Sequence, residues 1–144
     1  MTHVPDGPVL RSLAVIATRG TSNNLFQVAT LVRAATALGT TVEVLFRDAA
    51  LTKLRRDRIN APEWSDAYSA VDSELTDRLR AADFVDMESF LRDAKQHGDD
   101  VHYWACAESL VDVQLDDLTP LIDGPRSVAE FDATARAADA MLSF

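Results

Sequence analysis

The chain has 144 residues, of which 47% are hydrophobic and 26% charged, with a formal net charge of −9. That length suffices for one domain with a real core, and the acidic balance sets aside nucleic acid and anionic membranes as main partners. A single cysteine excludes an intrachain disulfide and any cysteine-based metal cluster. No apolar run approaches the roughly 20 residues of a membrane span, and Met1–Pro8 has neither the charged nor the apolar region of a signal peptide, so a cytoplasmic location is expected. His3, His97 and His102 have no ligand spacing, and no metal or other cofactor is expected.

Residues 1–11, with two prolines and a glycine, read as a mobile lead-in. Ser12–Thr18 is apolar through its middle, as a strand covered on both faces is. Arg19-Gly20-Thr21-Ser22-Asn23-Asn24 is a polar turn rich in N-cap residues. It opens a helix over Leu25–Leu38, where Val28, Leu31, Val32 and Ala35 keep the helical period and Gly39 stops it. Thr41–Phe46 is the second strand, and a short helix follows at Ala49–Arg55. Asp57–Ser65, with Pro62 and Trp64, reads as a loop, and Asp66–Asp83 as a helix with Val71, Leu75, Leu79 and Ala82 on one side. This stretch, Asp57–Asp83, is the one candidate insertion, a lid or an oligomer contact. Asp86 caps the next helix, where Met87, Phe90, Leu91 and Ala94 recur at i, i+3, i+4 and i+7.

After Gly98 comes Val101–Ala105, a β-branched and aromatic run that reads as a buried strand and ends on Cys106. Ala107–Val111 is expected to begin a helix. Leu118–Ile122 suggests a further short strand, turned at Asp123-Gly124-Pro125. Ser127-Val128-Ala129-Glu130 is a capping box for a helix with Val128, Phe131, Ala135 and Ala138 on one face, and Met141–Phe144 closes the chain as a last strand. Strands alternating with helices imply one domain, residues 1–144, with a parallel sheet and helices on both faces.

In open parallel sheets the ligand site lies beyond the carboxyl ends of the strands. That rule gathers Thr18–Asn24, Arg47-Asp48 and Cys106–Ser109. A thiol at a strand-to-helix junction meets converging N–H groups and the positive end of the helix dipole, which favours thiolate. Cys106 is therefore the candidate for chemistry, and the alternative is that it is a small buried hydrophobe. Arg19 and Arg47 would add positive charge near the thiol. Asn23 and Asn24 would donate hydrogen bonds to an anion, or else only cap a helix. Arg47 and Asp48 would pair on the surface in the plainer reading, and Ser109 is a binding candidate or a solvent-facing helix residue. His102 lies about 13 Å from Cys106 along an extended strand, too far to act as its base, and Trp104 shares the face of Cys106 by the two-residue period. The turn at Arg19 lacks the lysine of a phosphate-binding loop, and no G-x-S-x-G elbow is present.

Val101–Cys106 with Ala107–Leu110, then Leu121-Ile122-Asp123-Gly124, a capped helix and a terminal apolar strand, resembles the DsrE/DsrF-like sulfur-relay family, in particular its branch labelled peroxiredoxin-like. The helix with Ala34, Ala35 and Ala37 before Leu38-Gly39 and Val42–Phe46 is similar to that family too. The resemblance implies a three-layer α/β/α sandwich with a mainly parallel five-stranded sheet, assembled as a homo-oligomer, and a persulfide-carrying cysteine at Cys106 served by a sulfur donor or acceptor protein. Arg47-Asp48-Ala49 and Asp57–Asp83 depart from the family pattern. Two functions follow: a sulfur carrier or sulfurtransferase working through Cys106, or a non-catalytic oligomeric domain that binds a small ligand or acts as a scaffold, with Cys106 merely packed. Thiol exposure separates the two. A thiol peroxidase would carry Thr-x-x-Cys, which is not found here.

Overall fold

The computed structural model describes residues 10–81, 83 and 85–144; the expected mobile lead-in lies outside the described residues except at Leu10 and Arg11. Five strands form one all-parallel sheet in the order β4-β3-β2-β1-β5. They are β1 (Ser12–Ala17), β2 (Thr41–Phe46), β3 (Val101–Cys106), β4 (Gly124–Arg126) and β5 (Ala140–Ser143). Among the described residues six helices accompany them: α1 (Ser22–Ala37), α2 (Asp48–Lys53), α3 (Asp66–Ser69), α4 (Asp72–Ala81), α5 (Met87–Gln96) and α6 (Val128–Ala137).

The topology dictates how the helices are shared between the faces. From β1 to β3 the chain steps outward in one direction, and right-handed crossovers put α1 and α5 on the same face. Only the β4-to-β5 connection runs back across the sheet, so α6 lies on the other face. The larger core joins Leu13, Val15, Val44, Phe46 and Tyr103 of the sheet to Leu25, Val28 and Val32 of α1 and Leu91 of α5. Tyr103 is buried there, with its hydroxyl donating to the Leu91 carbonyl at 2.8 Å and its ring edge-on to Phe46. The smaller core holds Ala14, Leu45, Cys106 and Phe131, with Ile16, Trp104, Ala135 and Ala138 around it. The α/β/α sandwich with a five-stranded sheet is thus the observed fold, with a second helical layer only one helix deep.

Several elements differ from the sequence reading. Asp66–Asp83 is not one helix but two, α3 and α4, and neither buries a residue. Residues 107–111 do not start a helix; Ala107–Ser109 is a single 3-10 turn. Leu118–Ile122 is not a strand: Leu118 makes one isolated antiparallel bridge with Arg55. The fourth strand comes two residues later, at Gly124–Arg126, where a turn was expected. The caps at Asp86 and at Ser127 with Glu130 are as read.

Candidate functional site

The carboxyl ends of β1, β2 and β3 lie side by side, and the loops beyond them are packed tightly. Gly20 follows β1, and a Cβ there would stand 2.4 Å from the Ala49 carbonyl oxygen. Glycine is required because the loop after β1 lies directly on the first turn of α2. Ala50 N–H donates to the Thr18 carbonyl at 3.0 Å, closing the same contact. At the β1–β5 boundary, Thr18 donates from its backbone N–H and its hydroxyl to the Phe144 carbonyl.

Cys106 ends β3 with no exposed surface, inside the smaller core. Its thiol donates to Glu108 Oε2 at 3.4 Å. Both oxygens of that carboxylate also accept the Val128 N–H, at 3.1 and 3.2 Å, at the start of α6. These backbone donors, Glu108's own N–H and that of Val128, are the main reason its carboxyl is held below the usual range; burial opposes the shift, and the Cys106 thiol and Arg47 add to it. The expected helix dipole at Cys106 is absent, because a three-residue turn has no macrodipole to speak of. The positive helix end nearest the sulfur belongs to α6, and Glu108 occupies it.

Arg47 and Asp48 pair at 3.3 Å, as the plainer reading had it. Asp48 adopts φ +54°, a left-handed conformation that aspartate tolerates better than most residues. Its N–H donates to the Ser109 hydroxyl at 3.1 Å, which in turn donates to Asp48 Oδ1 at 3.4 Å. Ser109 is therefore half-buried and committed to this tie rather than facing solvent on a helix. The structure brings Arg47, Ser109 and Cys106 into one neighbourhood with Asp48 and Glu108.

It does not bring in the remaining candidates. Asn23 Oδ1 accepts the Ser65 N–H at 3.0 Å, and Asn24 Nδ2 donates to the Arg19 carbonyl at 2.9 Å. Both tie the first turn of α1 to loop backbone. Neither caps the helix: Thr21 does, its hydroxyl accepting the Asn24 N–H. The Arg19 side chain is exposed. His102 pairs with Asp100 at 2.7 Å and stacks on Trp104, with ring centroids 5.3 Å apart. Trp104 lies on the face of Cys106, as the strand period requires, with the Arg126 guanidinium 4.2 Å above its ring. Among the described residues, no group of three or more His, Cys, Asp or Glu side chains is placed to hold a metal ion. No helix among them is long and apolar enough to cross a membrane.

Two charged residues beside the site are not marked by any motif. Lys53 is fully buried. Its amine donates to the Arg58 carbonyl at 2.8 Å, to the Ala61 carbonyl, and to Glu63 Oε1 at 3.1 Å. Desolvation pushes the Lys53 pKa down, and Glu63 partly offsets that. Glu63 is also held by Arg58 at 2.7 Å, which with Lys53 keeps its carboxyl below the usual range against the opposing effect of burial. Lys53 lies three residues after Ala50 and one before Leu54, so the helical period itself places it on the buried face. Glu108 sits two residues past the cysteine and was hidden by the expectation of a helix there.

No family model matches the sequence, and no curated protein matches it. Among solved structures, the crystal structure of the ychN protein from E. coli aligns with this chain at a TM-score of 0.52 and 15% sequence identity. The alignment covers 94% of this chain and 99% of that one. YchN has a DsrE-like fold, and this chain shares it. At that identity the likeness shows the fold alone.

Proposed function

We propose that this chain is a non-catalytic binding or assembly domain of the DsrE-like fold, in which Cys106 is a packed member of the smaller core. The observation that supports it is the position of the thiol. Cys106 has no exposed surface, and its S–H is committed to Glu108. A sulfur carrier needs a sulfur that a partner can reach and that has lost its proton. The first condition is not met by a sulfur with no exposed surface.

A second reading rests on the turn that follows the sulfur. Ala107 and Glu108 are exposed members of a three-residue turn. Displacing the Glu108 carboxylate would uncover Cys106 and free the Val128 N–H for an anionic sulfur. In that reading Cys106 relays sulfane sulfur. Its thiol gives up a proton, and the thiolate attacks the outer sulfur of a donor persulfide. The donor S–S bond breaks and the donor leaves as a thiolate. A donor and an acceptor protein are then needed, because the chain has no second cysteine.

One experiment separates the two. Native protein is treated with iodoacetamide or with a low-molecular-weight persulfide and mapped by mass spectrometry, with urea-unfolded protein and Cys106→Ser as controls. The binding reading expects alkylation only after unfolding and no gain of sulfur. A one-sulfur gain on native protein, lost in Cys106→Ser, would overturn it and establish the relay.

A further inference from the structure

A cavity of about 200 Å³ lies beneath α4, apart from Cys106 and its neighbours. Its roof is Thr76, Leu79 and Arg80, which stand at i, i+3 and i+4 on one helix face. Its floor is the segment from Ile59 to Pro62 with Met87, the first residue of α5. Ser22, the first residue of α1, lines it too. Helix α1 follows β1 and α5 precedes β3, so in this parallel sheet both helices begin beyond the carboxyl ends of the strands. Ligands of open α/β sheets bind at that end. The floor is firm and the roof is light. Ile59 and Met87 belong to the larger core. The Ala61 carbonyl accepts from Lys53 and from the Ser22 hydroxyl, which itself accepts the Glu63 N–H at 2.8 Å. Helix α4 buries no residue; the Trp64 indole N–H, bonded to Asp72, ties its start to the floor. A ligand between the two would supply the packing that α4 does not get from the core.

The polar groups around the cavity select the ligand. Among the described residues, the Arg80 guanidinium has no ion pair or hydrogen bond, in a chain with 23 acidic residues, and the Thr76 hydroxyl has no partner. The Asn60 side chain has its oxygen on the Glu88 N–H at 3.0 Å and its amide N–H groups open. These are three open donors, one of them a full positive charge. The open acceptor is one oxygen of Asp86, whose other oxygen caps α5 through the Ser89 N–H at 2.7 Å. Donors in excess call for an anion, and arginine matches a carboxylate. The fixed charge of Asp86 opposes a second negative group on the ligand. The adjoining cleft, past Leu79 and Val85, is lined by Asp83, Asp86 and Asp93, which turns an acid group back toward Arg80. The rest of the lining, Ile59, Pro62, Trp64, Leu79 and Met87, is apolar but for the indole N–H. As a scale for the volume, an apolar cavity of about 150 Å³ takes benzene.

We propose that the cavity beneath α4 binds a small monocarboxylic acid with an apolar body about one ring in size. The carboxylate is held by Arg80 and Thr76 of the roof and Asn60 of the floor, and the body lies on Ile59, Trp64 and Met87. Binding therefore fastens α4 to the floor. The proposal does not depend on what Cys106 does.

The test is titration of the full chain with phenylacetate and with hexanoate, followed by amide chemical shifts. Ligands of this size are expected to bind with a Kd of about 1 mM or tighter, and the shifts are expected to gather in residues 59–64 and 76–80. Phenylacetamide and hexanamide keep the shape and lose the charge, and acetate keeps the charge and loses the body. Each is expected to bind about tenfold more weakly or worse, the loss of one charged hydrogen bond or of the apolar contact. Arg80→Gln is expected to weaken phenylacetate by a similar factor with an unchanged urea midpoint, because Arg80 is exposed and holds nothing in the fold. Arg11→Gln, the same change of charge at the opposite end of β1, is expected to leave binding as it is. Saturating phenylacetate is expected to slow trypsin at Arg78 and Arg80. No binding of either acid up to about 10 mM, ten times the weakest Kd expected, would overturn the proposal. So would amides that bind as well as the acids, shifts that gather elsewhere, or equal effects of Arg80→Gln and Arg11→Gln. The comparison of acids with amides uses wild type alone and decides the matter should Arg80→Gln fail to fold.

Discussion

Lys53→Met tests how the loop beside the strand ends is held. The lysine amine is fully buried and serves three acceptors on one segment: the Arg58 and Ala61 carbonyls and the Glu63 carboxylate. Methionine fills a similar volume and offers no donor. Each of the three acceptors keeps one other donor. Glu63 keeps Arg58 at 2.7 Å, Ala61 keeps a long bond from the Ser22 hydroxyl at 3.4 Å, and the Arg58 carbonyl keeps the Ala61 N–H at 3.0 Å. What is lost is the set of bonds to a charged donor, about 1.5–3 kcal/mol each, and a buried pair, whose breaking costs about 3–5 kcal/mol. Relief of the lysine's desolvation and the partial exposure of Glu63 pull the sum down. We expect about 2–3 kcal/mol, a large share of the roughly 5–15 kcal/mol that holds a domain together. The assay is urea unfolding followed by tryptophan fluorescence, with the midpoint lowered and the slope unchanged. Trypsin should also cut faster at Arg58. A variant within about 0.5 kcal/mol of wild type, the range of a neutral surface change, would refute the reasoning and mean that the loop hangs from Ser22 and Ile59 instead.

Other outcomes follow from the same contacts. Glu63 has a folded pKa below its ordinary 4.5, so its contribution is present above that pH and lost as pH falls through the depressed value. Acid unfolding curves should show this loss below pH 4.5, and Glu63→Gln should flatten it; an unchanged acid limb would contradict the assignment. Gly20→Ala drives a Cβ into the Ala49 carbonyl and should cost about 1–3 kcal/mol in thermal or urea unfolding, as overpacking does. Phe131→Ala empties the smaller core, where Phe131 is the one large, fully buried side chain from α6, and should cost about 3–5 kcal/mol. Glu108→Ala removes the acceptor of the Cys106 S–H and should speed native alkylation of the thiol while leaving the urea midpoint close to that of wild type.

The strands that the sequence announced are those that are apolar through most of their length because helices cover them. Thr41–Phe46 has the same bounds in the structure, and Ser12–Thr18 is one residue shorter there. Caps were equally plain, because Asp86 and Ser127 use short local bonds that tertiary structure has no reason to break. What stayed hidden depends on distant partners. Gly-Pro-Arg has no β pattern, yet it extends because Asp123 fastens the chain to Tyr103, exchanging a backbone bond and a side-chain bond with it, each at 2.8 Å. Arg126 then stacks on Trp104. Residues 107–109 have fair helix propensity, but Glu108 is drawn to Val128 and Ser109 to Asp48, and those long-range bonds replace the helix. Asn23 looked like an anion ligand or cap because nothing in the sequence says that Ser65 lies within reach.

The expected chemistry at Cys106 depended on a helix that the chain does not form there, and the positive end it needs is supplied by α6 instead. That end already holds an anion, the Glu108 carboxylate, fixed by a long-range bond from Val128 as well as a local one from Cys106. The same side chain therefore accepts the first N–H of α6 and the S–H of the thiol. For α6 this is a stabilising helix-end interaction of the ordinary kind; for Cys106 it is what separates a core residue from a nucleophile. Any reactivity of the thiol must then track the release of Glu108, so a sulfur gain by wild type that Glu108→Ala failed to accelerate would show that the sulfur is reached from another side.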